Sequence, residues 1–217
     1  MRKAIFATML VLGATVLFGQ DIALPEPKAK LGIDLLEAIQ ARTAARNFVK
    51  HEIPLADLST ILWAANGLKK GTDAVTSASK AGRTIPVSGG TAYINVYLFN
   101  DKGAYAFDPD KNRLRQIVAG DVRDSVTPGT IKTAAFILLF TFDGAKIPPF
   151  FKGNTAMVWQ TMNGNAGFAA QNAALAAAGL KMDSIVMYNI KPKDIASTAK
   201  LGKEEQPLFI LQVGYRQ

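Results

Sequence analysis

Apolar residues in the first third of this 217-residue chain recur every three or four positions in two stretches, the spacing of helices with one buried face. The first stretch begins after Asp34, a residue type that caps helix starts well, and ends near Arg42. The second opens at Pro54 and closes at Asn66-Gly67, where glycine favours a helix end. The polar stretch 69–83 that follows is rich in Ser, Thr, Lys and Gly and predicts a mobile loop.

After this loop the pattern becomes that of strands. Alternation over 92–99 predicts a strand, and the paired runs at 104–107 and 113–118 predict a hairpin. The unbroken apolar run 134–142 predicts a strand buried on both faces. Further elements are expected as a rigid aromatic loop at 148–151, a long helix over 156–180, a short helix over 192–201, and strands over 184–188 and 207–215. The chain is therefore predicted to form one α+β domain over 34–217, preceded by an extended arm over 21–33.

The first twenty residues have the pattern of a secretory signal peptide. Arg2 and Lys3 precede an apolar stretch over 4–18, which ends at small and polar residues. This stretch is shorter than the roughly 20 apolar residues that span a bilayer. We expect a leader over 1–20, a secreted or periplasmic protein, and no stable membrane insertion once the leader is removed. A retained N-terminal anchor is the alternative, because the exit lacks a clean Ala-x-Ala.

Composition limits the kinds of catalysis and the kinds of partner that are open to this chain. The chain has no cysteine, which excludes disulfides and thiolate catalysis, and its single histidine is His51. No cluster of metal-ligand residue types appears, and no Gly-x-Ser-x-Gly elbow supports a hydrolase. The net charge is +8, but the basic residues are scattered, so we expect no nucleic-acid partner. The stretch Asp108–Asn112 imitates the start of a calcium loop. Arg113 and Ala119 occupy positions that need Gly and Glu, which favours a hairpin turn.

Three separate segments look suited to parts of a flavin nucleotide. Arg42 and Arg46 stand four residues apart, which at a helix end would place both guanidinium groups on one face. Guanidinium groups suit phosphate and carbonyl oxygens, and they do not deprotonate. In the second segment, Pro86–Gly90, two glycines allow backbone N–H groups to approach a ligand. The third is the Ala/Gly-rich stretch 164–180, whose small face permits close packing.

These segments occur in order with two further motifs, and together they resemble the nitroreductase-like family of FMN-dependent oxidoreductases. The matching parts are Arg-x-x-x-Arg-x-Phe at 42–48, the helix end 62–67, Arg-x-x-Pro-x-Ser-Gly-Gly at 83–90, Gln171-Asn172 with Gly179-Leu180, and Leu-x-Val-Gly-Tyr at 211–215. The likeness covers the chain from about Leu35 onward. It is strongest to the small branch that includes the thiazole- and oxazole-forming dehydrogenase domains.

The resemblance implies a fold, a cofactor and a partner. The fold is a central, mostly antiparallel sheet flanked by helices, in a homodimer that binds FMN between its subunits. Arg42 would contact the FMN phosphate and Arg46 the pyrimidine edge, while Arg216 would complete the phosphate site. The Pro-Ser-Gly loop would come from the partner subunit and pack on the ring. The residues expected at the cofactor are Arg42, Thr43, Ala44, Arg46, Pro86, Val87, Ser88, Gly89, Gly90 and Arg216.

The chain departs from the family pattern at two positions. Ala44 stands where the family usually has Ser, and Val87 is inserted where Pro and Ser are usually adjacent. Arg42 and Arg46 also have a second interpretation as cations at a helix C-terminus. The expected function is an exported FMN-dependent oxidoreductase acting on a small organic molecule, with no assigned catalytic residue or metal. The alternative is an exported binding module that keeps the fold without redox turnover.

Aromatic residues are the remaining candidates for a substrate pocket. Such a pocket would be built by loops 69–82 and 144–155. Its walls would be Trp63, Phe150, Phe151 and Trp159, for which packing in the core is the favoured interpretation.

Overall fold

The structure is a computed structural model of the chain, and it describes residues 21–69, 82–129 and 132–216. The predicted signal peptide over 1–20 lies outside the described residues, as does nearly all of the predicted loop over 69–83. Within the described ranges, no helix is both long and apolar enough to cross a bilayer.

The four predicted helices are confirmed: α1 spans Leu35–Ala41, α2 Leu55–Asn66, α3 Thr155–Gly179 and α4 Pro192–Thr198. Helix α1 begins with a reciprocal cap, in which Asp34 accepts from the Glu37 N–H at 2.9 Å and the Glu37 carboxylate accepts from the Asp34 N–H at 3.1 Å. Helix α3 runs without a break through Gly164 and Gly167. A Cβ at either glycine would meet no neighbouring atom within 4 Å, so close packing does not explain them.

In the part of the chain that the structure describes, eight strands form one sheet, and every pairing between these strands is antiparallel. The strands are β1 Ile22–Ala23, β2 Phe48–Val49, β3 Ile94–Asn100, β4 Gly103–Asp108, β5 Arg113–Ala119, β6 Phe136–Asp143, β7 Asp183–Met187 and β8 Glu205–Arg216. The sheet order is β1-β5-β4-β3-β6-β8-β2, and β7 also pairs with β8. The long β8 therefore holds β6 along one edge and both β7 and β2 along the other. The α+β fold with a mostly antiparallel sheet is confirmed.

Strand β6 divides the core. Leu138 and Phe140 face α2 and α3 in the larger cluster, whereas Ile137 and Leu139 face α4 in the smaller one. Side chains on both faces are fully buried, as the unbroken apolar run predicts. Seven buried alanines of α3 let that helix lie close to the sheet.

The segment Asp108–Asn112 is the turn between β4 and β5, which confirms the hairpin interpretation. Asp108 accepts from the Lys111 N–H at 3.2 Å, and Asn112 has a φ of 45°. No group of three or more His, Cys, Asp or Glu side chains suited to a metal ion occurs among the residues that the structure describes.

The N-terminal arm lies against the domain rather than away from it. Strand β1 extends the sheet beside β5, and the Leu24 N–H donates to the Asn112 carbonyl at 2.9 Å. Further along, the Lys28 N–H donates to Thr60 Oγ1 at 2.9 Å, and the Lys28 ammonium pairs with Asp57. The arm thereby joins β5 to α2.

Replacing Asp121 with asparagine tests how much its ion pair with the buried Arg123 contributes to stability. The Arg123 side chain is 5% exposed, and its Nε and Nη2 donate to Asp121 at 2.9 and 2.8 Å. Weakening these two charge-assisted bonds should lower the free energy of unfolding by about 1.5–3 kcal/mol, measured by urea denaturation. The control is Asp124→Asn, since Asp124 pairs with Lys132 but its side chain is 71% exposed. A change of less than about 0.5 kcal/mol is expected there.

The same pair predicts how stability depends on pH. Hydrogen bonds from Arg123 lower the pKa of the Asp121 carboxyl from 3.8 to about 2. Because this pKa is depressed in the folded state, the stabilisation is present above pH 3.8 and is lost as the pH falls towards 2. The wild-type protein should therefore lose more stability than Asp121→Asn over this interval. Equal losses of stability in the two proteins would show that the Asp121–Arg123 pair does not contribute to the pH dependence of stability.

Candidate functional site

The segment that carries Arg42 and Arg46 is extended rather than helical. Helix α1 ends at Ala41, and Arg42 already has extended backbone angles, with φ −60° and ψ 119°. The chain then runs along the edge of the sheet, where Ala44 forms a parallel bridge with Ser184 and Phe48 pairs with Arg216. The expectation that a helix places both guanidinium groups on one face is therefore wrong. Helix capping has no support for Arg46, which lies beyond the helix end.

Arg216 reaches the same corner of the sheet, but Asp183 already binds it. Its Nε and Nη2 both donate to the Asp183 carboxylate, the second at 3.0 Å, and this pair raises the pKa of the Arg216 guanidinium. Asp183 is 7% exposed at the start of β7, opposite Gly214 in β8. The sequence analysis missed Asp183. Its position three residues after the Gly179-Leu180 motif was the available signal.

The donor set in this corner fits a phosphate-bearing nucleotide. Arg42 is half-buried and Arg46 exposed, and neither forms an ion pair with any residue in the described ranges. Thr43 and Ala44 lie between them on the bridged segment. Two guanidinium groups without an ion pair, on a segment whose backbone pairs with that of Arg216, provide the forked, permanently charged donors that a phosphate requires. The Asp183 carboxylate repels an anion and is the one group in the corner that opposes this fit.

The second candidate segment is a short turn that packs on an aromatic loop. Residues Ser88–Gly90 form a 3-10 turn in which Gly89 has a φ of 72°. A Cβ on Gly89 would lie 2.4 Å from Pro148 Cγ, so both the backbone angle and the close approach require glycine. Val87, the inserted residue, packs against the main core, and Pro86 is exposed.

The buried Tyr93 connects this turn to α3. The Tyr93 side chain is fully buried, and its hydroxyl accepts from Asn165 Nδ2 of α3 at 2.6 Å. Burial raises the pKa of Tyr93, while hydrogen bonds with Ser88 act in the opposite direction. The turn is therefore tied to the middle of α3.

The two candidate segments lie towards different ends of α3. The turn contacts Pro148, which precedes α3, and is tied to Asn165, whereas Ser184 follows the helix end at Gly179. Roughly 20 Å of helix separates Asn165 from Gly179, at 1.5 Å per residue. Among the described residues, no hydrogen bond or ion pair joins the Arg42 segment to the Pro86–Gly90 turn of the same copy.

The aromatic candidates divide into two groups. Phe151 is buried in the core, as the packing interpretation expects, and Trp63 is half-buried with its Nε1 donating to the Leu68 carbonyl at 2.7 Å. Phe150 and Trp159 are 70% and 54% exposed, so core packing is wrong for both. His51 lies edge-on to Tyr215, with ring centroids 4.9 Å apart.

The family model that describes the nitroreductase family matches residues 39–215, which contain the end of α1, the sheet corner except Arg216, the turn and α3. The chain belongs to the nitroreductase family. Membership makes it an oxidoreductase of the flavin type. No curated protein matches the chain.

Solved structures support the same fold. A Ralstonia eutropha JMP134 protein described as a nitroreductase is 26% identical, with a TM-score of 0.76 over 92% of this chain and 90% of that one. A second, from Anabaena variabilis ATCC 29413, is 18% identical, with a TM-score of 0.72 over 91% of this chain and 42% of that one. The Escherichia coli microcin synthetase McbBCD complex is 16% identical, with a TM-score of 0.64 over 100% of this chain and 85% of that one. At these lower identities the last two structures show the fold alone.

Proposed function

We propose that this nitroreductase-family protein is an exported FMN-dependent oxidoreductase that exchanges a hydride or electron pair with a small organic substrate. The observation that carries the proposal is the corner formed by β7, β8 and the extended segment 42–49. There, two free guanidinium groups stand beside Arg216 within a flavin-type fold. Export rests on the sequence pattern of residues 1–20, and no partner other than a second copy and the substrate is proposed.

Each residue of the corner has a proposed task. Arg42 holds the FMN phosphate, and Arg216 adds a second contact by sharing its guanidinium between Asp183 and the phosphate. Arg46 presents a fixed positive charge at the edge of the ring where negative charge develops on reduction. Bound FMN would supply the two-electron chemistry, so no histidine or cysteine of the chain is needed.

A second copy of the chain would complete the site. The two candidate segments lie towards different ends of α3, and the Pro86–Gly90 turn of one copy would pack on the ring held by the other. Exposed apolar side chains on α1 and α3 support an interface with this second copy. They are Leu35 at 64%, Leu36 at 74%, Ile39 at 51%, Met157 at 42%, Trp159 at 54% and Phe168 at 49% exposed. Apolar surface of this extent is typical of protein interfaces.

The binding module without redox turnover remains the second candidate, and two observations favour it. Ala44 lacks the hydroxyl that would donate to a phosphate, and the Asp183 carboxylate lies at the same corner. Losing one neutral hydrogen bond costs only about 0.5–1.5 kcal/mol, which is small beside the retained arginines.

An absorbance spectrum of the purified mature protein, with its molar mass in solution, tests the proposal. We expect a flavin spectrum, or one acquired on adding FMN, that bleaches with dithionite, at one FMN per chain in a dimer. A protein that stays colourless and gains no thermal stability from FMN would overturn the redox proposal and leave the binding module. A monomer that holds FMN fully would overturn the shared site.

A further inference from the structure

A polar cleft opens where two neighbouring strands separate. Strands β3 and β4 pair from Asn100↔Gly103 as far as Tyr97↔Ala106, whereas β3 continues beside β6 to Ile94↔Phe142. The first residues of β3 therefore have no partner on the β4 side. A cleft of about 330 Å³ fills this gap, and none of the proposed FMN-binding residues lines it.

Two side chains of this cleft each carry buried polar atoms that lack hydrogen-bond partners. The Arg83 side chain is 10% exposed and pairs with Asp110 through Nη2 at 3.0 Å, but its Nε and Nη1 are buried and unpartnered. Asn66 is 4% exposed, and its Nδ2 donates to the Ile94 carbonyl at 2.7 Å. This bond fixes the amide so that Oδ1 is the free atom, and it is also buried and unpartnered.

Such atoms call for an explanation, because buried polar groups in folded proteins are almost always paired. Here two donors of one arginine and one acceptor of one asparagine belong to residues that line the same cleft. A purely structural role for Arg83, as the partner of Asp110, accounts for Nη2 alone. The other atoms are arranged as a receptor for a group that both accepts and donates hydrogen bonds.

The charge around the cleft favours an anion. Arg115 lines it without an ion pair to any described residue, whereas Lys146, also in the lining, already pairs with Asp143 at 2.9 Å. The two carboxylates of the lining are already engaged: Asp110 by Arg83, and Asp108 by Arg113 at 3.1 Å. The volume lies at the lower end of the range for small-molecule sites, which favours a small ligand.

We propose that this cleft binds a small organic acid with a hydrogen-bond donor on the carbon next to its carboxylate, such as a short hydroxy acid. The carboxylate accepts from Arg83, and the hydroxyl donates to Asn66 Oδ1. Arg115 attracts the acid at the rim. This site does not depend on the proposed flavin chemistry.

Calorimetric titration of the mature protein with L-lactate, propionate and methyl lactate tests the site. We expect L-lactate to bind saturably, one per chain. Propionate should bind about tenfold more weakly, because it leaves Asn66 Oδ1 unpartnered, and methyl lactate should not bind because it lacks the charge. Absence of saturable lactate binding in the millimolar range would overturn the proposal. So would equal affinity for all three compounds.

Substitutions test whether L-lactate binds in the cleft. Arg83→Gln should weaken L-lactate binding at least about tenfold, whereas Lys111→Gln, in the β4–β5 turn next to Asp110 but outside the cleft lining, should leave it unchanged. If Arg83→Gln does not fold, Arg115→Gln at the rim replaces it, with a loss of about threefold expected. Lactate affinity that survives both Arg83→Gln and Arg115→Gln would locate the binding elsewhere and refute the cleft. Heat of binding is read directly, so the result stands whether or not FMN is bound.

Discussion

Replacing Arg42 with alanine is expected to weaken FMN binding about 100-fold. Arg42 stands at the end of α1 with no ion pair among the residues that the structure describes, so its guanidinium is available to a phosphate. Removing charge-assisted hydrogen bonds to a phosphate costs about 3 kcal/mol, which corresponds to this factor. The affinity is measured by quenching of flavin fluorescence during titration of the apoprotein.

Two further variants test whether the loss of FMN affinity is specific to the guanidinium group of Arg42. Arg42→Lys keeps the charge but loses the planar fork, so an intermediate affinity is expected. Lys193→Ala removes one positive charge from an exposed position of α4, which contributes no residue to the corner, and should leave the affinity unchanged. Flavin content that is unaltered in Arg42→Ala would refute the assignment of the phosphate to this residue.

Replacing Phe140 with alanine is expected to reduce the free energy of unfolding by about 3–5 kcal/mol. Phe140 is fully buried at the centre of β6, and its ring lies 5.4 Å from that of Phe209 on the neighbouring β8. Strand β6 lies between β3 and β8, so a cavity there cannot be filled by movement of an edge strand. The change is measured by denaturant unfolding at a fixed protein concentration, because dimerisation would couple stability to concentration.

Phe150→Ala is the matched control, since it deletes the same ring from a position that is 70% exposed. We expect a loss of less than about 1 kcal/mol there. Equal losses in the two variants would show that β6 does not form the centre of the core.

Much of the fold was predictable because its signals are local. Asp34 with Glu37 three residues later specifies the start of α1, and the unbroken apolar run of β6 specifies a strand buried on both faces. The glycine requirement at Gly89 was also readable, although the reason is a close approach to Pro148 that the sequence does not reveal. The one-face arrangement of Arg42 and Arg46 failed, because the helix ends one residue before Arg42.

By itself the sequence determined which elements form and which residue types are available for binding. Spacing, caps and turn residues act over a few positions, so they suffice to place α1–α4 and the hairpin. Only the tertiary structure decided which of these groups meet. Asp183 engages Arg216 from 33 residues away, and the pairing of β3 with β4 ends at Tyr97 and opens the Arg83 cleft. Such partners depend on strand register and on packing between distant segments, which no local pattern encodes.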